Sequence, residues 1–137
     1  MFKKLSLVAM LVMCIVCSQN GVAAECVDSN GQDIFSQPEV FFGIIEKSES
    51  CYEAVEMAEA CAYGSSLDVS TAGVAYDICE KELQVQKPTK ELINLLKTMQ
   101  TSCSDKYYKE EGTMYRSMNA FCQLSALEWV LNIATPN

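Results

Sequence analysis

Hydrophobic positions along this chain follow two regimes. From Leu5 to Cys17 they form a nearly unbroken run, whereas from Val40 to Ile133 they recur every three or four positions, the period of a helix with one buried face. Ser36-Gln37-Pro38-Glu39 has the form of a capping box with proline in the first turn. It predicts a first helix to about Lys47 whose apolar face is Val40, Phe41, Ile44 and Ile45. Ser50 and Glu53 repeat the box and open a second helix. Cys51, Ala54, Val55, Ala58 and Cys61 share one stripe of it, Glu53, Glu56 and Glu59 point outward, and Gly64 is its expected stop. Ser70 or Thr71 is the predicted cap of a third helix, with Ala72, Ala75, Tyr76, Cys79 and Leu83 inward. That helix should end near Lys87, because Pro88 disfavours helical geometry in the residue before it. Pro88 then starts a fourth, with Leu92, Leu95, Leu96, Met99, Cys103 and Tyr107 in line.

Gly112 breaks the pattern, and Thr113 is the predicted cap of a fifth helix running to about Ile133. This last helix is apolar on two sides. Met118, Phe121, Cys122, Ser125 and Trp129 form one stripe and Ala120, Leu124, Leu127 and Leu131 another, which places the helix at the centre of the core or at an interface. No segment alternates with strand period. The expected fold is all-α, a small disulfide-stabilised bundle of about four to five helices arranged as helical hairpins.

The uninterrupted run belongs to a different object. Met1 to Lys4 carries two lysines, Leu5 to Cys17 is apolar, and Ser18 to Ala24 is polar and small, the order of a secretory signal peptide. At about thirteen residues the run is short of the roughly twenty that a membrane-spanning helix needs. Val22-Ala23-Ala24 places the expected cut before Glu25. A lipoprotein would need a small residue directly before Cys14 or Cys17, where this chain has Met13 and Val16. The expected organisation is a signal peptide over 1–24, an arm over 25–35 and a single helical domain over 36–137, in a periplasmic or secreted protein. The arm is assigned from Asp28, Ser29, Asn30, Gly31, Gln32 and Asp33, a turn-rich stretch without a period.

Cleavage changes the composition. Lys3 and Lys4 leave with the peptide while all 18 acidic residues remain, so the net charge moves from −8 to −10. Such a surface repels nucleic acid and anionic lipid and favours a cationic partner. Eight cysteines become six: Cys26, Cys51, Cys61, Cys79, Cys103 and Cys122. An even number in a small exported domain reads as a disulfide framework. There is no histidine, and the six remaining cysteines include no Cys-x-x-Cys pair, so zinc, thioredoxin-like and c-type haem chemistry lose their usual ligands together.

Six cysteines allow fifteen pairings, and hairpin geometry ranks them. Cys103 and Cys122 stand at nearly equal heights about Gly112 and should pair. Cys61 and Cys79 would differ by roughly 10 Å of helical rise, beyond disulfide reach, whereas Cys51 and Cys79 differ by about three residues. Cys51 is therefore expected to join Cys79, leaving Cys61 to pin the arm through Cys26.

Catalytic chemistry finds little purchase. The commonest general base is missing, no serine has a Gly-x-Ser-x-Gly context, and the glutamates read as solvated helix faces, so no catalytic residue, cofactor or metal is expected. Asp28 to Asp33 matches a calcium loop in composition only. Glu39 falls at its twelfth position if the loop starts at Asp28, but Pro38 and the absent ligand spacing argue against a site. Aromatic residues and an arginine cluster instead at one loop tip. Tyr107, Tyr108, Glu110, Glu111, Met114, Tyr115 and Arg116, around Gly112, are the candidate partner-binding residues.

At this loop Cys103, Glu111-Gly112-Thr113-Met114 and Cys122 resemble the C-terminal part of the LprI-type lysozyme-inhibitor family, small exported helical proteins, over about twenty residues. Where that family has a tryptophan, tyrosine and Arg-Asp pattern and a Thr-x-x-Arg, this chain has Leu96-Lys97-Thr98-Met99-Gln100 and Ser125-Ala126-Leu127-Glu128. The resemblance implies a binder of a cationic cell-wall hydrolase, as inhibitor or immunity protein. The alternative is an accessory or assembly subunit of a bacterial envelope or secretion complex. That reading needs an oligomer, or Leu124, Leu127 and Leu131 exposed.

Overall fold

The computed structural model describes residues 25–28, 30–34 and 36–135. The expected signal peptide lies outside them. Five helices follow the arm: α1 (Pro38–Ile45), α2 (Cys51–Ala60), α3 (Ser66–Gln86), α4 (Lys90–Tyr107) and α5 (Thr113–Ala134). Among the described residues the sole β feature is an isolated bridge between Val27 and Asp33. The all-α reading holds, and the helices pair as two hairpins, α2 with α3 and α4 with α5.

Most boundaries match the sequence pattern; the caps differ for local reasons. Gln37 rather than Ser36 precedes α1 and makes no side-chain bond to it, because Ser36 sits one residue too early to reach the first turn. At α2 the reading holds: the Ser50 hydroxyl accepts from Glu53 N–H at 3.2 Å, and Glu53 accepts in return from Glu49 N–H at 2.9 Å. α2 ends before Gly64, at Ala60, and Cys61 leaves helical geometry where it is tied to Cys26. Gly64, at φ 73°, turns the chain three residues later. Thr89 rather than Pro88 caps α4, accepting from Leu92 N–H at 3.3 Å. Gly112, at φ 114°, precedes α5 without a side-chain cap, and Thr113 is the first helical residue. The largest shift is in α3, which starts at Ser66, four residues before the expected cap.

All three expected bridges are present. Cys26–Cys61, Cys51–Cys79 and Cys103–Cys122 have Cα separations of 4.8, 4.4 and 5.7 Å. The early start of α3 does not upset the pairing, because Cys51 and Cys79 remain within about one helical turn of equal height. Glu82, one turn beyond Cys79, accepts from Cys51 N–H at 2.7 Å. A carboxylate from α3 thus satisfies the open N-terminus of α2 beside the bridge that joins the two helices.

α5 is the central helix. It packs closely on α2, α3 and α4, whereas the backbones of α3 and α4 stay apart and meet through side chains. Leu124, Leu127, Val130 and Leu131 fill the core together with Phe41, Ile45, Val55, Ala75 and Leu83. The two-sided pattern of α5 therefore resolves with the leucine stripe inward. Met118 and Trp129, from the other stripe, stay half-exposed. The arm is more than a tether. Ile34, the lone aliphatic residue between Val27 and Val40, is fully buried, and Asp28 closes its loop by accepting from Asn30 N–H at 2.8 Å and Gln32 N–H at 2.9 Å.

Candidate functional site

The tyrosine cluster forms at the tip of the α4–α5 hairpin, but not all of it converges. Tyr107, Tyr108, Glu110, Tyr115 and Arg116 line one shallow cleft of about 150 Å³, with Ser104 and Asn119. The Lys106 ammonium lies 5.3 Å over the Tyr107 ring, a cation–π geometry. Glu111 does not line the cleft. Met114 turns away from it and stands against Gly64, its Cγ 3.7 Å from where a side chain there would begin. Tyr108 is 84% exposed at the edge of the cleft. Charges at the tip nearly cancel, with Lys106, Lys109 and Arg116 interspersed among Asp105, Glu110 and Glu111.

Asp68 is the one buried acid among the described residues. Its carboxylate accepts from Gly64 N–H at 2.7 Å, Ser65 N–H at 3.2 Å, Tyr63 N–H at 3.2 and 3.3 Å, the Ser65 hydroxyl at 3.1 Å and the Ser117 hydroxyl at 2.6 Å. Burial alone would raise its pKa. The hydrogen bonds from Ser117, Tyr63, Ser65 and Gly64 outweigh burial and hold the carboxyl below its ordinary value. A carboxylate so fully occupied has no lone pair aimed at a substrate, so its work is to seat the start of α3 against α5.

Two cavities open on α5, the first between it and α3 and the second where α3, α4 and α5 meet. The first, about 390 Å³, has Val69, Ala72, Gly73 and Tyr76 on one wall and Arg116, Asn119, Ala120 and Gln123 below. The second, about 320 Å³, is walled by Leu83, Ile93 and Leu96 and carries a single carboxylate, Glu80. Gln100 bridges the helices at their junction, its Nε2 donating to Tyr76 Oη at 2.6 Å. Neither cavity holds paired carboxylates. A third cleft, beside the arm, has Glu25 and Asp33, but both are exposed, whereas acid–base pairs need one member desolvated.

Charge is distributed very unevenly. Residues 25–80 contain 12 acidic side chains and one lysine, Lys47, whereas residues 81–137 contain six acidic and seven basic ones. The acidity therefore belongs to the arm, α1, α2 and most of α3. The net charge of the sequence carries this signal only as a total, and dividing the count along the chain localises it. Where α2 meets α5, Glu56 and Glu59 face Glu128, and Tyr52 donates to Glu56 Oε1 at 2.5 Å. Burial, then the charges of Glu59 and Glu56, push the Glu128 carboxyl above its ordinary value. The hydrogen bond to Glu56 is the main cause that pushes the Tyr52 phenol up.

A raised carboxyl pKa means that the folded state prefers the protonated form, so the ionised form penalises folding as pH rises through that pKa. E128Q should therefore melt higher than the native protein at pH 7. The difference should vanish at about pH 3.5, where Glu128 is protonated in both folded and unfolded chains. Paired calorimetric scans at the two pH values check this, and an equal shift at both would show that charge is not the cause.

The fold and its staples define the class of molecule: a small five-helix bundle closed by three disulfides, with no helix among the described residues long and apolar enough to cross a membrane. No protein-family model, no curated protein and no solved structure matches the chain.

Proposed function

We propose that this chain is an exported binding protein, held rigid by its disulfides, whose partner is a cationic protein, and that inhibition of a cationic cell-wall hydrolase is its activity. The observation that carries the reading is the concentration of acidity in residues 25–80, where 12 carboxylates meet one lysine. A one-signed face of this kind steers a basic protein into encounter and sets its orientation. The disulfides and the signal-like N-terminus support an oxidising compartment outside the cytosol. The LprI-like residues at the α4–α5 hairpin support the same class of partner. The occupied carboxylate of Asp68 supports binding rather than catalysis.

The test is affinity capture from an envelope extract with immobilised mature protein, residues 25–137. Recovery of a basic wall hydrolase is expected, with inhibition of its lytic activity by the free protein. Raising salt from about 50 to 500 mM should weaken the complex at least tenfold, because exposed charges are screened over about 10 Å or less. Capture that is indifferent to salt would remove the electrostatic basis of the reading. The subunit reading drew on Leu124, Leu127 and Leu131, and these lie in the core. It returns if the protein elutes as an oligomer or captures membrane-complex proteins instead.

A further inference from the structure

α5 buries its leucine stripe and leaves another stripe uncovered. Met114, Met118 and Trp129 lie on one side of the helix, at four and eleven residues of spacing, and are 59%, 43% and 49% exposed. Next to them runs the outer edge of α2. Met114 stands against Gly64 at one end, and Glu128, adjacent to Trp129, faces Glu56 and Glu59 near Tyr52, itself 60% exposed. Large half-exposed apolar side chains bordered by same-sign charge form a recognition surface, an apolar centre with a charged rim.

The rim decides the occupant. On the α2 side that rim is purely acidic, since α2 has no basic residue and the single basic residue of α5, Arg116, lines the cavity toward α3 with Val69 and Gly73; α4, tied to the other side of the stripe by Cys103–Cys122, carries Glu91 and Asp105 with three lysines. A second copy of the chain would set glutamates against glutamates, and nucleic acid or an anionic bilayer would be repelled. We propose that this face of α5 and α2 is the docking site for a basic protein, whose apolar centre covers Met118 and Trp129 while its lysines or arginines meet Glu56, Glu59 and Glu128. This assignment rests on the cationic-partner reading above and moves the site from the tyrosine tip, where charges nearly cancel, along α5 to the side that borders α2.

Three baits separate the possibilities: the native mature chain, a face variant (M118S/W129S, with E56Q/E59Q/E128Q as its charge-only companion) and a tip variant (Y108S/E110Q/E111Q). All altered side chains are exposed or half-buried, and calorimetry of each variant verifies that it folds. Both face variants should lose at least tenfold in recovery of the basic protein that the native chain captures, while the tip variant retains it. Trp129 is the single tryptophan, so 5-fluorotryptophan labelling gives one fluorine resonance, which should shift when the captured protein is added back. Recovery that survives the face variants but fails with the tip variant overturns the docking site and leaves the cationic-partner reading standing. So does an unshifted fluorine signal in the complex. Capture of no basic protein by any bait at low salt overturns both.

Discussion

Asp68→Ala should destabilise this protein by about 3 kcal/mol, among the largest effects available to a single substitution in it. The carboxylate accepts from three consecutive backbone N–H groups, Tyr63, Gly64 and Ser65, and from the hydroxyls of Ser65 and Ser117. Removing it strands the buried Ser117 hydroxyl and takes the shared acceptor from the part-buried donors of the 63–65 turn. Asp68→Asn should be nearly as damaging, because the amide nitrogen presents hydrogens to groups that already donate. For a domain of this size the loss corresponds to a fall in Tm of roughly 10 to 20 °C, measurable by circular dichroism. The pH dependence carries a distinctive sign. A carboxyl held below its ordinary pKa contributes stability that is complete at neutral pH and is lost as pH falls through the folded-state value. The native protein should therefore lose stability in acid more steeply than D68N does, and parallel acid limbs for the two would show that the network is not ionic.

Removing the Cys51–Cys79 bridge is the second large expectation. It closes a sequence separation of 28 residues, for which the chain-entropy account gives about 3.5 kcal/mol. Both cysteines are buried in the core beside the Glu82 carboxylate that holds the first turn of α2, so C51S/C79S also places hydroxyls where sulfurs were packed. The double variant should unfold at a lower urea concentration than C103S/C122S, whose bridge spans 19 residues and includes the half-buried Cys122. Equal midpoints for the two would imply that the core position of the first bridge contributes nothing beyond its loop length.

Much of this architecture was legible because helices and hairpins write themselves locally. Three- and four-residue spacing identified every helix, and equal heights across two hairpins were enough to rank fifteen pairings correctly. Most of what escaped depends on partners distant in sequence. One miss is local: α3 starts early because Ser65 and Asp68, three positions apart, form a capping box upstream of Ser70 and Thr71, and only the bond from Ser117, 49 positions away, has no local signature. Ile34 is a lone aliphatic side chain in a polar stretch and has no period to betray its burial. Glu82 reads as a surface charge until the α2–α3 hairpin brings it to Cys51 N–H. The two-sided pattern of α5 left open which side faces the core, since periodicity reports faces and not neighbours. The tyrosine tip was found as a cluster, and five of its seven residues do meet, but sequence proximity alone cannot show that Met114 turns toward Gly64.

The order of the bridges has a consequence for how the protein must be made. Cys103 and Cys122 are neighbours in the cysteine series, but the first four interleave, Cys26 with Cys61 and Cys51 with Cys79. A chain threaded out of the cytosol N-terminus first meets the oxidant in the order 26, 51, 61, 79. An oxidant that joins thiols as they arrive would make Cys26–Cys51 and then Cys61–Cys79, both non-native. Native pairing therefore requires either that α2 and α3 dock before oxidation or that a thiolate reshuffles the early bonds, which takes minutes to hours without an isomerase. On the proposed export, the α2–α3 pair therefore depends on docking before oxidation or on an isomerase, while the α4–α5 hairpin, whose cysteines are neighbours in the series, needs neither.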